Sequence, residues 1–257
     1  MVKEAVTFFA LFGQRVGAVL PALFLLCACA VPAMAAPRPR GLAAPVAVTY
    51  VAIGASDAYG IGADDPERES WPAVLAGWLP GGSTLINLGV PGITLGRARD
   101  VELPIALDAL ATAPCPALRQ SGSSRRPCLG RAGLVTVWLA VNDINDNVDV
   151  GTYAADLSGL LSTLRARTRA TILVGNVPNL ALLPSYKNRS RDDLAATVAT
   201  WNRVIGHAAR ANGAYLVDLY GGWRAMVNHP EYVSADGFHP TTAGYRVLAQ
   251  VFWRSRP

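Results

Sequence analysis

Five short apolar runs, Val46–Ile53, Thr84–Leu88, Leu134–Val141, Thr171–Val174 and Ala214–Val217, read as strands. Leu134–Val141 is apolar almost throughout, the mark of a strand buried on both faces. Stretches of helical periodicity separate and follow the runs. Trp71–Leu79 carries Pro72 in its first turn, and Thr94–Leu110 contains Pro104, which predicts a bend or break. Tyr153–Arg167 places Leu157, Leu160, Leu161 and Leu164 on one face. Arg191–Ala211 follows Ser190, a capping residue with Asp193 at capping-box spacing, and ends at Asn212-Gly213. Thr242–Phe252 closes the chain. Strands alternating with helices predict an α/β fold, a three-layer sandwich around a five-stranded parallel sheet, because right-handed crossovers place helices on both faces. With no repeat and no second core, one domain is expected over 46–257.

The N-terminus has the pattern of an export signal. Lys3 and Arg15 precede an apolar run from Val16 to about Ala36, and Ala33-Met34-Ala35 is an A-x-A cleavage pattern. Residues 1–35 are therefore expected to be a cleaved signal peptide, and Ala36–Pro45, with Pro37, Pro39 and Pro45, a stiff linker. Two other readings stay open: a retained anchor, since about 20 apolar residues span a bilayer, and a lipidated cysteine in Leu26-Cys27-Ala28-Cys29. All three put the domain outside the cytoplasm, secreted or at the cell surface or periplasm, and two of them imply a membrane tether. In that oxidising setting Cys115 and Cys128 are expected to pair as a disulfide.

The formal charge is +5, and removing residues 1–35 takes away Lys3, Glu4 and Arg15, leaving +4. The basic residues are scattered, with clusters at Arg38/Arg40, Arg125/Arg126 and Arg165/Arg167/Arg169 and few aromatics between them. This argues against a nucleic-acid groove. A metal site is not expected: there is no C-x-x-C, and His207, His229 and His239 are the only imidazoles.

Four segments fall where loops leave the predicted sheet: Gly54-Ala55-Ser56-Asp57, Asn87-Leu88-Gly89-Val90-Pro91-Gly92, Ala140-Val141-Asn142-Asp143 and Asp236-Gly237-Phe238-His239-Pro240. A serine hydroxyl is a weak nucleophile and needs an adjacent base. His239 is the candidate, with Asp236 three residues earlier to hold its tautomer. Acyl transfer also needs donors for a developing oxyanion: the Ser56 N–H, the N–H of Gly89, which has no side chain in the way, and the Asn142 amide. Taken singly, Gly89 also reads as a turn glycine, and Asn142-Asp143 as a turn or cap pair. Asp143 is read as holding the loop that presents Asn142, and His207 and His229 as structural or surface residues.

All four blocks, in this order, resemble the SGNH hydrolases, also called GDSL esterases and lipases, over about Val48–Phe252. The resemblance implies that family's flavodoxin-like three-layer α/β/α fold. It also implies a Ser56–His239–Asp236 triad, and an oxyanion hole of Ser56, Gly89 and Asn142. Asn176-Val177-Pro178-Asn179 resembles a segment bordering the substrate groove in bacterial members. Three departures stand out. The family's Asp before the serine is Ala55, with Asp57 after it instead. The Gly two before the family's Asn is Ala140. The loop Pro114–Arg131 looks like an insertion. The implied protein is an exported serine esterase, monomeric and without cofactor, acting on small-molecule or lipid esters such as short acyl esters or lysophospholipids. Apolar Val90, Ile93, Leu180, Leu182 and Leu183 favour an acyl chain over a sugar. A carbohydrate O-deacetylase is the alternative enzyme, and a catalytically silent binding domain the alternative of another class.

Overall fold

The computed structural model describes residues 46–111, 133–222 and 229–257. The chain separates into two units, Met1–Ala43 and Ala44–Pro257, the second of which holds every described residue. The expected signal peptide and its cleavage site, nearly all of the linker, and the insertion carrying Cys115 and Cys128 lie outside the described residues.

Five strands, β1 (Thr49–Gly54), β2 (Thr84–Asn87), β3 (Leu134–Trp138), β4 (Thr171–Gly175) and β5 (Tyr215–Val217), form one parallel sheet in the order β2-β1-β3-β4-β5. Alternation along the strands builds the layers, since successive side chains point to opposite faces. Val51, Ile53, Val135, Val137, Ile172 and Val174 face one core. There they meet the buried stripes of the helices α4 (Leu95–Ala111), α6 (Val150–Arg167) and α7 (Arg191–Ala211). Tyr50, Ala52, Leu134, Trp138 and Leu173 face the other, against α3 (Trp71–Ala76) and α9 (Thr242–Arg254). Trp71 stacks on Phe252 there, with ring centroids 4.1 Å apart. Four short helices, α1 (Ser56–Tyr59), α2 (Pro66–Glu69), α5 (Val141–Asn145) and α8 (Leu219–Gly222), and 3-10 turns such as Pro184–Tyr186 complete the order among the described residues. The expected α/β/α sandwich with a five-stranded parallel sheet is the observed architecture.

The strand order creates the site. The chain leaves β1 to one side to form β2 and returns to the other side to form β3. The connections diverge there and open a crevice at the carboxyl ends of β1 and β3, where open α/β sheets bind ligands.

Three local expectations change. Leu134–Val141 is a strand only to Trp138, and Val141 begins α5. The break is at Ala140, whose φ of 154° no strand or helix residue adopts. Pro104 lies within a continuous α4. A helical Pro costs about 3 kcal/mol, which burial of Leu95 and Leu103 offsets at roughly 1.5–3 kcal/mol each. The expected Cys115–Cys128 disulfide is not upheld. A bridge needs Cα atoms within about 7 Å, and no cysteine pair lies near disulfide distance.

Glu102, on α4, is buried directly beneath the end of β1. Its Oε2 accepts the Gly54 N–H at 2.9 Å, while Oε1 is buried without a partner. Burial pushes its pKa up to about 8, and the Gly54 bond offsets this only in part. Glu102 is therefore a neutral acid at pH 7. The unfolded chain loses this proton near 4.5 and the folded chain near 8. Between those values the folded state binds more protons, so the group's contribution to stability falls as pH rises. Glu102→Gln keeps an acceptor for Gly54 and removes the titration. Its melting temperature should gain on the wild type's steadily from pH 5 to pH 8. Parallel curves for the two proteins over that range would contradict this.

Candidate active site

Ser56 is placed by a sharp exit from β1. Gly54 ends the strand, and Ser56 begins α1, a single turn in which Ala58 and Tyr59 N–H groups bond the Ala55 carbonyl. The turn packs so closely that a Cβ on Gly54 would stand 2.6 Å from the Ala58 Cβ. Gly60 closes the turn, its N–H returning to the Ser56 carbonyl at 2.9 Å. The side chain of Asn87, at the end of β2, holds the same turn by donating to the Ala58 carbonyl at 2.6 Å.

His239 reaches Ser56 from the loop before α9. Its Nε2 is 2.9 Å from Ser56 Oγ, and its Nδ1 is 2.5 Å from Asp236 Oδ2. The two oxygens of Asp236 divide the work. Oδ1 accepts from the Ser234 hydroxyl at 2.8 Å, Phe238 N–H at 2.8 Å and His239 N–H at 2.9 Å, which winds the loop around the carboxylate. Oδ2 is left for the imidazole. Partial burial pushes the Asp236 pKa up, but the hydrogen bonds from His239, Phe238 and Ser234 outweigh it and hold the carboxyl well below the usual carboxylate range. Asp236 is thus an anion at neutral pH. The loop is tied back to the fold by a bridge between Val233 and Pro240 and by Ser185 N–H on the Gly237 carbonyl.

Gly89 lies against α1. A Cβ there would approach Tyr59 N to 2.5 Å, Ala58 Cβ to 2.8 Å and the Ala55 carbonyl to 2.9 Å, so only glycine fits. Its N–H rests 3.2 Å from Asn87 Oδ1. Asn142 stands in the first turn of α5, its Nδ2 donating to the Ile93 carbonyl at 2.8 Å. One of its two amide hydrogens is used there. Asp143 next to it is buried and accepts the Leu95 N–H with both oxygens at 3.1 Å. It thereby fastens the β3–α5 turn to the start of α4. Burial pushes its pKa up to about 6, against the Leu95 bonds. The other histidines are elsewhere: His207 is exposed on α7, and His229 stacks on Tyr232 and pairs with Glu231 at 2.6 Å.

Two small hollows open beside Ser56, of about 10 and 20 Å³. The first is lined by Ser56, Asp57, Ala140 and Asn142 among others, the second by Pro178, Leu180, Leu183 and Pro240. Asp57, Trp138, Val141 and Phe238 line both. Of the apolar residues expected around the site, Leu180 and Leu183 line a hollow, Ile93 is buried, and Val90 and Leu182 are exposed. Of the Asn176–Asn179 segment, only Pro178 lines a hollow. Asn176 is buried and bridges β4 to α8, donating to Asp218 and accepting from Leu219 and Tyr220 N–H groups. Sequence reasoning missed Trp138, Val141 and Phe238 as lining residues, although Val141 and Phe238 flank residues it chose.

A family model described as "GDSL-like Lipase/Acylhydrolase family" matches residues 52–247. Solved structures resemble the chain over most of its length. TesA is 20% identical with a TM-score of 0.58, covering 80% of this chain and 97% of that one. A member of the lipolytic protein G-D-S-L family from Veillonella parvula is 16% identical at 0.58, covering 81% and 97%. Axe2, an acetylxylan esterase from Geobacillus stearothermophilus, is 18% identical at 0.57, covering 83% and 96%. At these identities the likeness is one of fold. No curated protein matches the chain.

Proposed function

Because the chain belongs to the GDSL-like lipase/acylhydrolase family, a family of ester hydrolases, we propose that it is a serine esterase acting through Ser56, His239 and Asp236. The observation that carries this reading is one imidazole hydrogen-bonded on one side to a serine hydroxyl and on the other to a carboxylate held anionic by its own loop. Ser56 Oγ attacks the ester carbonyl as His239 Nε2 takes its proton. The carbonyl oxygen becomes an oxyanion facing the Ser56 N–H, the Gly89 N–H and the second Asn142 amide hydrogen. Gly89 gives up a long bond to Asn87 for this, so little is lost in the exchange. His239 then protonates the departing alcohol. A water, deprotonated by His239, attacks the acyl-enzyme, and the acid leaves as the proton returns to Ser56.

The small hollows favour a short acyl group over a long chain. The acyl chain itself packs against Val141, Leu180 and Leu183. A carbohydrate O-deacetylase is the second reading, since an acetyl group fits the same space. Hydrolysis of p-nitrophenyl esters from acetyl to palmitoyl tests the size argument. The highest kcat/KM should fall between acetyl and butyryl, and a maximum at decanoyl or longer would contradict it. The N-terminal segment supports export of the domain across the membrane.

A further inference from the structure

The residue after the proposed nucleophile, Asp57, is the acid in the lining of two hollows whose other members are Ser56, Asn142 and apolar or aromatic residues. It lines both hollows, together with Trp138, Val141 and Phe238. Among the described residues no Lys or Arg lines either one. Among the described residues the Asp57 carboxyl has no hydrogen-bond partner beyond its own backbone N–H. Burial pushes its pKa up to about 6, His239 draws it down and Asp236 pushes it up again. Asp57 is therefore ionised at neutral pH, partly buried, and unpaired.

An unpaired carboxylate in such a place is costly unless something brings a matching charge. Apart from His239, no basic side chain among the described residues acts on Asp57, and the first hollow is shared with Ser56 and Asn142, where the acyl carbonyl must sit. Trp138 and Phe238 line both hollows beside Asp57, and aromatic rings attract cations. The hollows are shallow, which suits a small group beside Asp57.

On the serine esterase reading above, we infer that Asp57 is a specificity residue selecting esters of small ammonio acids, such as glycyl or alanyl esters, whose ammonium group lies one carbon from the scissile carbonyl. Asp57 accepts the ammonium hydrogens, and the acyl carbon chain is no longer than the hollow. The bond broken is still the ester bond, and the chemistry at Ser56 and His239 is unchanged. Asp57 also repels acyl groups that carry a carboxylate.

Glycine benzyl ester and benzyl propionate differ by ammonium against methyl at one position and are the probes. The ratio of their kcat/KM values is measured at pH 7 for wild type, Asp57→Asn and Asp57→Leu. Asn keeps the shape and removes the charge, and Leu removes both, while circular dichroism confirms that each variant is folded. Wild type should favour the glycine ester, and the ratio should fall by about tenfold or more in both variants, the loss expected for a hydrogen bond to a charged group. A wild-type preference for propionate, or a ratio that falls less in the folded variants, overturns the inference. Turnover of benzyl propionate with no such dependence on Asp57 leaves the esterase reading standing. Turnover of neither ester by wild type overturns both.

Discussion

Ser56→Ala should abolish ester hydrolysis and leave a folded protein. The hydroxyl, at the carboxyl end of β1, meets His239 Nε2 at 2.9 Å. Without it the imidazole has nothing to deprotonate and no acyl-enzyme can form. A loss in kcat of about 10⁴-fold or more is expected for a missing nucleophile. The stability cost is small, because among the described residues Ser56 Oγ makes a single hydrogen bond, worth about 1 kcal/mol net, and the turn around it is held by backbone bonds and by Asn87. Turnover above about one per cent of wild type, in a preparation shown to be homogeneous by mass, would remove Ser56 as nucleophile. His239→Ala should be comparably damaging, whereas His229→Ala and His207→Ala should be mild, since neither imidazole approaches Ser56.

Asn142→Ala should lower kcat by about 10²–10³-fold with little change in KM. The reason lies in when the amide matters. Its second hydrogen meets a neutral carbonyl in the bound ester and a full negative charge in the tetrahedral state, so the loss falls on the transition state. The structure adds a complication that sequence alone does not show. Asn142 Nδ2 also donates to the Ile93 carbonyl, so the side chain ties α5 to the loop before α4. Asn142→Asp would turn that donor into an acceptor facing a carbonyl oxygen, and would set a negative charge beside the developing anion. It should therefore be at least as inactive as Ala and less stable. The Ala variant carries the decision. If Asn142 only ties the loop, the folded Ala variant keeps a kcat near wild type and shows a lowered melting temperature. If it is an oxyanion donor, kcat collapses while the melting temperature moves little.

Much of this was legible in the chain. Arg191–Ala211 begins and ends where its cap residues place it, because Ser190 and Asn212-Gly213 are local signals that act within one turn. The five strands overlap the five apolar runs, although β3 stops at Trp138 and its run continues into α5, because a short apolar run does not by itself mark where strand gives way to helix. The D-x-x-H spacing foretold that Asp236 could reach His239, but not that Oδ1 collects three donors of its own loop. That depends on Gly237 taking a φ of 73°, which no pattern of apolar and polar residues encodes. Ala140 stood out as a departure at a glycine position, and its positive φ of 154° gives that departure a physical meaning: a strained turn that sets α5 and Asn142. Such strain costs about 1–3 kcal/mol. Nothing in the sequence singled out Glu102. Only the packing of α4 on β1 shows that it is buried under Gly54. The disulfide inference relied on an even cysteine count in an exported chain, and a count carries no distance.

The most direct measurement is covalent labelling with a fluorophosphonate, followed by intact mass and peptide mapping. Such a reagent is attacked by an activated serine and stays on its oxygen. One adduct per chain is expected, on the peptide that holds Ser56, and Ser56→Ala should take up none. Labelling should also drop sharply in His239→Ala, because the serine would then lack its base. An enzyme that hydrolyses esters while its Ser56 peptide stays unmodified, or that carries the adduct on another serine, would contradict the account.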